Sequence, residues 1–184
     1  MRREWTQGVP RPGASGSICV APLRGRFGIL DSVVDALERL LPTYRGPDGS
    51  HEGIAFLCGV ELAQLTLFTT AIFPKADHRR EYVRCSDDEF AAASASARAS
   101  GLGVLAQVHT HPGENAVHSL GDDDMVCPRY EGMLSIVVPL YGRYGLRPLH
   151  SLGVHQLQHG AWVLAERETV RQNVLIVPTA ADLR

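Results

Sequence analysis

The sequence contains no apolar run long enough to cross a membrane and no excess of basic residues. A transmembrane helix needs about 18 consecutive apolar residues, and no such run occurs in the 184 residues. Eighteen Lys and Arg against twenty Asp and Glu leave a net charge of −2, whereas nucleic-acid-binding proteins carry a strong basic excess. The N-terminal segment also lacks the apolar core of a secretory signal. We therefore expect a soluble, cytoplasmic protein that binds neither nucleic acid nor membrane.

Cysteine is scarce as well. The chain has four cysteines, which are far apart in the sequence: Cys19, Cys58, Cys85 and Cys127. Because none of them forms a Cys-x-x-Cys pair, a zinc ribbon and a thioredoxin-type redox site are not expected. The length corresponds to one domain. We place this domain at residues 29–184, after a flexible arm over residues 1–28 that is rich in arginine, glycine and proline.

Helical and strand patterns are mixed along the chain. Apolar residues recur at helical spacing over 29–41. A second helix is predicted over 86–100, where Ser86 and Glu89 form a capping-box pattern. Apolar runs typical of strands lie at 54–60, 62–73, 82–85, 103–111, 133–140, 150–157, 161–165 and 174–177. The helices are too few for a doubly wound sheet, so the pattern indicates an α+β domain.

The clearest chemical signal is the segment QVHTHPGENAVHSLGDDD, residues 107–124. Alternate side chains of a strand share a face, so His109 and His111 point the same way with Cα atoms about 6.6 Å apart. Two imidazoles placed in this way can bind one metal ion. Pro112 turns the chain, and Asp122 can then supply a third ligand. Such a set leaves one tetrahedral position open, which distinguishes a catalytic zinc site from a structural one.

Each residue of this segment also has a purely structural explanation. A His-x-His pair on a strand is more often two ordinary polar residues. Ser119 would serve as a helix N-cap, and Asp123 and Asp124 suit the acidic start of a helix. His118 could bind a metal ion but precedes the capping serine and fits a loop. The segment taken alone therefore leaves its role open.

An upstream segment completes a pattern that resembles the JAB/MPN family of zinc metalloproteases, also called JAMM proteases. The downstream signature residues are His109, His111, Pro112, Ser119 and Asp122. The segment EGIAFLCG at 52–59 begins 57 residues before His109. It is similar to the second signature, Glu-x-x-Gly-x-Leu-x-Gly, with Ala55 in place of the first glycine. The resemblance covers about residues 52–140. It implies an MPN/JAB-like fold, with a curved, mixed, mostly antiparallel β-sheet flanked by helices.

The resemblance also implies a role for each signature residue. His109, His111 and Asp122 would hold one catalytic Zn²⁺, which lowers the pKa of bound water toward about 7. Glu52 would act first as general base and then as general acid. Ser119 would hydrogen-bond the tetrahedral oxyanion.

The implied reaction is hydrolysis of a peptide or isopeptide bond after the C-terminal glycine of a ubiquitin-like protein. Residues 74–85 and 119–133 leave little room for the insertions with which linkage-selective relatives contact a second ubiquitin. The chain therefore resembles compact bacterial enzymes that accompany activating and conjugating enzymes, some of them in antiphage systems. The expected partners are a ubiquitin-like protein, its conjugates and those enzymes.

Three alternatives stay open. A peptidase that processes the glycine tail of sulfur-carrier proteins would use an identical metal site. A non-catalytic scaffold is a second alternative, although scaffolds typically lose ligands and this set is complete. A two-metal phosphoesterase would use His109, His111 and the carboxylates of residues 122–124. That third alternative leaves Glu52 and its segment unexplained.

Overall fold

The computed structural model describes residues 18–125 and 129–179, which form one nine-stranded sheet with helices against it. The strands are β1 (Val20–Ala21), β2 (Phe27–Leu30), β3 (Arg45–Gly46), β4 (Gly49–Ser50), β5 (Ile54–Leu62), β6 (Leu65–Ile72), β7 (Asp77–His78), β8 (Val83–Arg84), β9 (Gly103–Thr110), β10 (Leu134–Val138), β11 (Gly153–Gln158), β12 (Ala161–Ala165) and β13 (Val174–Val177). The helices are α1 (Asp31–Leu40), α2 (Asp87–Ala99), α3 (Leu120–Met125) and α4 (Arg167–Asn173). Short 3₁₀ turns lie at Leu41–Thr43, Leu140–Gly142 and Leu149–Ser151.

The main sheet has the strand order β1-β12-β11-β10-β9-β5-β6-β2-β13. Of its eight pairings in the described residues, four are antiparallel, and these include the longest, β5 with β6 and β5 with β9. Two separate two-stranded ribbons are formed by β3 with β4 and by β7 with β8. The expected α+β fold with a curved, mixed sheet is confirmed.

Strand β5 is buried on both faces because a helix packs against each side of the sheet. Ile54 and Phe56 pack with α2 residues such as Ala93. Ala55 and Leu57, on the other face of the strand, belong to the larger core, which also contains Leu37 of α1. This double burial explains why residues 54–60 are almost continuously apolar rather than alternating.

Gly59 marks an irregularity in β5, because the pairing with β6 shifts between Cys58 and Gly59. A Cβ atom at Gly59 would lie 1.9 Å from the carbonyl oxygen of Leu67. Only glycine fits this close approach of two backbones, which gives a physical reason for the last glycine of the 52–59 segment.

Both predicted helices exist, with one difference at the start of the first. Apolar spacing predicted that helix from residue 29, but Ile29 and Leu30 belong to β2, which pairs with β6 and β13. Strand pairing therefore overrides the helical pattern there. For α2, the predicted cap is confirmed, since the backbone N–H of Glu89 donates to the Ser86 hydroxyl.

The expectation of a flexible arm over residues 1–28 needs a correction for its described part. Strand β1 pairs with β12, and β2 lies inside the main sheet. Leu23 and Phe27 are buried in the larger core. Residues 18–28 therefore belong to the domain, while residues 1–17 lie outside the described residues. No helix in the described ranges is long and apolar enough to span a membrane.

The topology brings distant parts of the sequence to one end of the sheet. The antiparallel register of β5 and β9 pairs Ile54 with His109. The parallel register of β9 and β10 pairs Thr110 with Val138. The residues just before β5 and just after β9 therefore meet at this end, where α3 also returns.

Candidate metal centre

Three side chains from β9, the following residue and α3 converge at this end of the sheet. The Nε2 atoms of His109 and His111 lie 3.2 Å apart. Asp122 places Oδ2 3.1 Å from His111 Nε2 and Oδ1 3.4 Å from His109 Nε2. Within the described part of the chain, this is the one group of three His, Cys, Asp or Glu side chains positioned to hold a metal ion.

These separations match those of a tetrahedral zinc site. Ligand atoms placed tetrahedrally at 2.0–2.1 Å from zinc lie about 3.3 Å from one another. The three measured separations between His109, His111 and Asp122 fall between 3.1 and 3.4 Å. Two neutral imidazoles and one carboxylate are also a ligand set that zinc takes. The residues therefore fit a single metal ion in both geometry and chemistry.

The ring nitrogens that face away from the centre have partners of their own. His111 Nδ1 donates to the carbonyl oxygen of Asn115 at 3.0 Å, which leaves its Nε2 available as a ligand. The side-chain amide of Gln107 lies 3.5 Å from His109 Nδ1. The nearer amide atom is Gln107 Nε2, so with Nε2 of His109 as ligand and its Nδ1 protonated, Gln107 accepts this proton through its amide oxygen only when the amide is turned over.

The pKa values of His109, His111 and Asp122 depend on one another. Burial by itself would raise the pKa of Asp122, but hydrogen bonds from both imidazoles hold that pKa well below its usual value. Burial lowers the pKa of His109. Burial also opposes the charged form of His111, yet its hydrogen bond to Asp122 leaves the pKa of His111 raised. The Asp122 carboxylate is therefore ionised and able to bind a cation.

Ser119 and Asp122 form a reciprocal cap at the start of α3. The backbone N–H of Asp122 donates to Ser119 Oγ at 3.2 Å, and the backbone N–H of Ser119 donates to Asp122 Oδ2 at 2.6 Å. This is the geometry of a capping box. A carboxylate has about four lone-pair sites, so these contacts leave Asp122 able to bind a metal ion. The N-cap explanation of Ser119 is thus confirmed, and the hydroxyl lies beside the metal centre.

Glu52 lies at the end of β9 because Gly53 bonds to Thr110, the residue between the two histidines. The N–H of Gly53 donates to Thr110 Oγ1 at 2.8 Å, and the N–H of Thr110 donates to the Gly53 carbonyl at 3.0 Å. Continuing this antiparallel register places Glu52 opposite His111. The charge of His111 lowers the pKa of the Glu52 carboxyl group, and the charge of Asp122 raises it.

The β7–β8 ribbon holds the backbone of Glu52. The Glu52 N–H donates to the Arg79 carbonyl at 2.8 Å, and His78 Nδ1 donates to the Glu52 carbonyl at 2.7 Å. The His78 ring stacks on Tyr44 at 3.9 Å between centroids. A Cβ atom on Gly53 would come within 2.5 Å of the same tyrosine ring. No spacing signal in the sequence pointed to His78 or Tyr44.

Burial gives Glu52 an unusual titration. Only 3% of the residue is exposed, and this desolvation raises its pKa to about 8. A carboxyl group with a pKa near neutrality can both take up and release a proton under physiological conditions. Beside the metal centre, a cavity is lined by Ile54, Val83, Cys85, Gln107, His109 and Asp122.

The neighbouring residues considered from sequence lie apart from the metal centre. His118 and Asp123 bond to each other at 2.9 Å, so neither is a metal ligand in this arrangement. The side chain of Asp124 and all of Cys127 lie outside the described residues. A second metal site, as a two-metal phosphoesterase would need, is not found among the described residues.

Comparison with known proteins places the chain in a family. The family profile described as prokaryotic homologs of the JAB domain matches residues 44–148, more than half of the chain. The chain belongs to the prokaryotic JAB family. This confirms the resemblance seen in the two signatures, and residues 44–148 contain Glu52, Ser119 and the three candidate metal ligands.

A curated relative of this JAB domain is the probable metalloprotease y4jG of Sinorhizobium fredii. It is 34% identical over 101 residues, which make up 50% of this chain and 59% of the relative. The chain therefore spans about six tenths of the length of the relative that it matches.

Two solved structures share the fold of this JAB domain. A solution structure from Desulfitobacterium hafniense aligns with a TM-score of 0.55 at 14% identity, over 76% of this chain and 92% of the other. A solution structure from Salinibacter ruber aligns with a TM-score of 0.54 at 17% identity, over 85% of this chain and 95% of the other. At such low identities the likeness extends to the fold alone.

Proposed function

We propose that this JAB domain is a zinc peptidase that cleaves after the C-terminal glycine of a ubiquitin-like protein. The observation that carries the proposal is the convergence of three ligand atoms at tetrahedral separations beside the buried carboxyl group of Glu52. The curated relative is named a probable metalloprotease, which supports the same reaction class. Deconjugation and precursor processing would both use this site.

The metal ion would activate water, and side chains of the protein would transfer the protons. Zinc held by His109, His111 and Asp122 would act as a Lewis acid that lowers the pKa of water toward about 7. Glu52 would accept a proton on its carboxylate and return it to the leaving amine.

Ser119 would stabilise negative charge on the substrate. Its Oγ accepts the backbone N–H of Asp122, so the hydroxyl hydrogen remains free to be donated to an oxyanion. The capping role and the oxyanion role are therefore compatible, because one uses the oxygen lone pair and the other uses the proton.

The surroundings of the site suit an extended peptide tail with small side chains. The cavity is lined by Ile54 and Val83 next to His109. Among the described residues, β8 pairs only with β7, so its other edge can accept a peptide strand by backbone hydrogen bonding. A glycine-ended tail would bring little side-chain bulk to such an edge. The activating and conjugating enzymes and an antiphage role stay predictions of the resemblance, and a cytoplasmic location stays a prediction of the sequence.

Cleavage of glycine-ended ubiquitin-like proteins tests the proposal directly. The purified protein should contain about one zinc ion and hydrolyse a C-terminal fusion of its cognate partner. Glu52→Gln should keep the metal and lose turnover, because the residue is not a ligand. Glu61→Gln is a matched control, since Glu61 lies exposed at the far end of β5, the strand that follows Glu52, and should change neither property.

Three results would contradict the proposal. Full zinc occupancy in a His109→Ala, His111→Ala double variant would refute the ligand assignment. Full turnover in Glu52→Gln would refute the proton-transfer role. Phosphatase activity without peptidase activity would favour the phosphoesterase alternative.

A further inference from the structure

A second cluster of polar side chains lies directly behind the metal centre. It consists of His118, Asp123, Ser135 and His155, and we call it the His118 clamp. The ring centroid of His118 is 5.9 Å from that of the ligand His109. The side chain of His118 is only 4% exposed, whereas that of Asp123 is 43% exposed. Neither the signatures nor the proposed reaction assigns a role to these four residues.

His118 uses both of its ring nitrogens and its backbone N–H within this clamp. Its Nδ1 donates to Asp123 Oδ1 at 2.9 Å, and its Nε2 accepts from the Ser135 hydroxyl at 2.9 Å. Its backbone N–H donates to His155 Nε2 at 3.2 Å. Its ring also stacks on that of His155, with 3.8 Å between centroids and 16° between planes. The residue is therefore tied to α3, to β10 and to β11 at once.

The chain Ser135–His118–Asp123 has the connectivity of a serine-nucleophile triad, but burial excludes that function. Ser135 lies in the middle of the paired strand β10 and is fully buried. A nucleophile must reach its substrate, and this hydroxyl meets only protein. The arrangement therefore serves to hold structure in place.

The position of the clamp in the sequence shows what it holds. His118 immediately precedes Ser119, and Asp123 immediately follows Asp122. The His118–Asp123 bond therefore closes a ring around the segment that carries the third ligand and the oxyanion donor. Through Ser135 and His155, the same bond network fixes this segment to the sheet that carries the histidine ligands.

Helix α3 is short and begins at a residue that lies in solvent. It has six residues, well below the length at which an isolated helix is stable in water. Its first residue, Leu120, is 85% exposed and does not dock on the core. The loop before α3, in contrast, packs closely against β11, since a Cβ atom on Gly153 would lie 1.7 Å from the carbonyl oxygen of Ala116.

We propose that the His118 clamp positions Asp122 and Ser119 for metal binding and oxyanion contact, so that His118 and Asp123 are positioning residues of the site. The proposal rests on the function proposed above. Partners that orient a metal ligand typically change metal affinity about 10–100-fold when they are removed. The clamp should therefore be visible in zinc affinity, measured without any substrate.

The test compares two substitutions of Asp123 that remove the same charge. Asp123→Asn keeps an oxygen that can accept the His118 Nδ1–H, whereas Asp123→Ala removes the acceptor. Because this side chain is partly exposed, both variants should fold. The zinc affinity of metal-free protein is measured by competition with a chromophoric chelator, and cobalt substitution reports the ligand geometry by visible absorption. We expect Asp123→Ala to bind zinc at least about tenfold more weakly than Asp123→Asn, with a weaker or shifted cobalt spectrum.

Ser135→Ala tests the other end of the clamp and should also weaken zinc binding. Glu114→Gln, an exposed change in the same loop, is the control and should leave it unchanged. Equal zinc affinity and equal cobalt spectra for Asp123→Ala and Asp123→Asn would overturn the clamp while leaving the peptidase proposal intact. Clamp effects on zinc without any peptidase activity in the parent protein would overturn the peptidase proposal and uphold the clamp. A parent protein that binds no zinc would overturn both.

Discussion

Replacing Glu52 by glutamine removes a buried carboxyl group and keeps its shape. The substitution therefore tests how far this carboxyl group lowers the stability of the metal-free protein. The pKa of this group rises from 4.5 in a solvated chain to about 8 in the folded protein. Between these values the folded state binds more protons than the unfolded state, so stability falls as pH rises. This loss of stability, which comes from ionising the buried carboxyl group, is absent below about pH 4.5 and complete above about pH 8.

The size of the effect follows from that shift. Each pKa unit corresponds to about 1.4 kcal/mol, so the full shift would destabilise the fold by about 3–4 kcal/mol between pH 5 and pH 8. The site is open on one side, where His111 keeps 12% of its side chain exposed. Water there relaxes part of the penalty, and we expect about 1–2 kcal/mol.

The assay is urea unfolding of the chelator-treated protein at pH 5, 6, 7 and 8. Glu52→Gln should match the parent protein near pH 5 and exceed its stability by about 1–2 kcal/mol at pH 8. The difference between the two proteins at each pH cancels the titration of histidines that do not interact with Glu52, whereas His111, whose pKa is raised in part by Glu52, contributes to it. Glu61→Gln, which removes an exposed carboxylate at the far end of β5, serves as the control. If the stability difference for Glu52→Gln stays constant from pH 5 to pH 8, the buried-carboxyl reasoning is refuted.

The remaining predictions concern metal affinity, the serine and the substrate. Because the hydrogen bond to Asp122 raises the pKa of His111, protons compete with zinc for this side chain. The affinity for zinc should therefore fall by up to about tenfold per pH unit on acidification below that pKa. Equal zinc affinities at pH 6 and pH 8 would contradict this. In steady-state kinetics, Ser119→Ala should lower kcat about 10²–10³-fold with little change in KM. In urea unfolding, the same variant should show an unfolding free energy about 1 kcal/mol lower, because the helix cap is lost. With little room for insertions that read the far side of the bond, kcat/KM for a linear fusion and an isopeptide conjugate of the same partner should differ by less than about 10³-fold, or roughly 4 kcal/mol. A larger ratio would show that the far side is recognised.

The features that sequence alone determined are those set by neighbours within a few residues. The period of two on a strand put His109 and His111 on one face, and Ser86 three residues before Glu89 identified the cap of α2. Ser119 and Asp122 are also three residues apart, and their capping box forms as expected. Such signals survive folding because the backbone geometry of one strand or one helical turn decides them.

Only the tertiary structure decided which distant residues meet. The separation of 57 positions between Glu52 and His109 is bridged by the register of β5 and β9. The same kind of long-range pairing took Ile29 out of the predicted helix and drew residues 18–28 into the domain. The bonds of His118 to Ser135 and His155 join three elements, and no local pattern encodes them. Strand partners and buried polar networks depend on how the whole chain packs, because their free energy comes from contacts between segments that are remote in sequence.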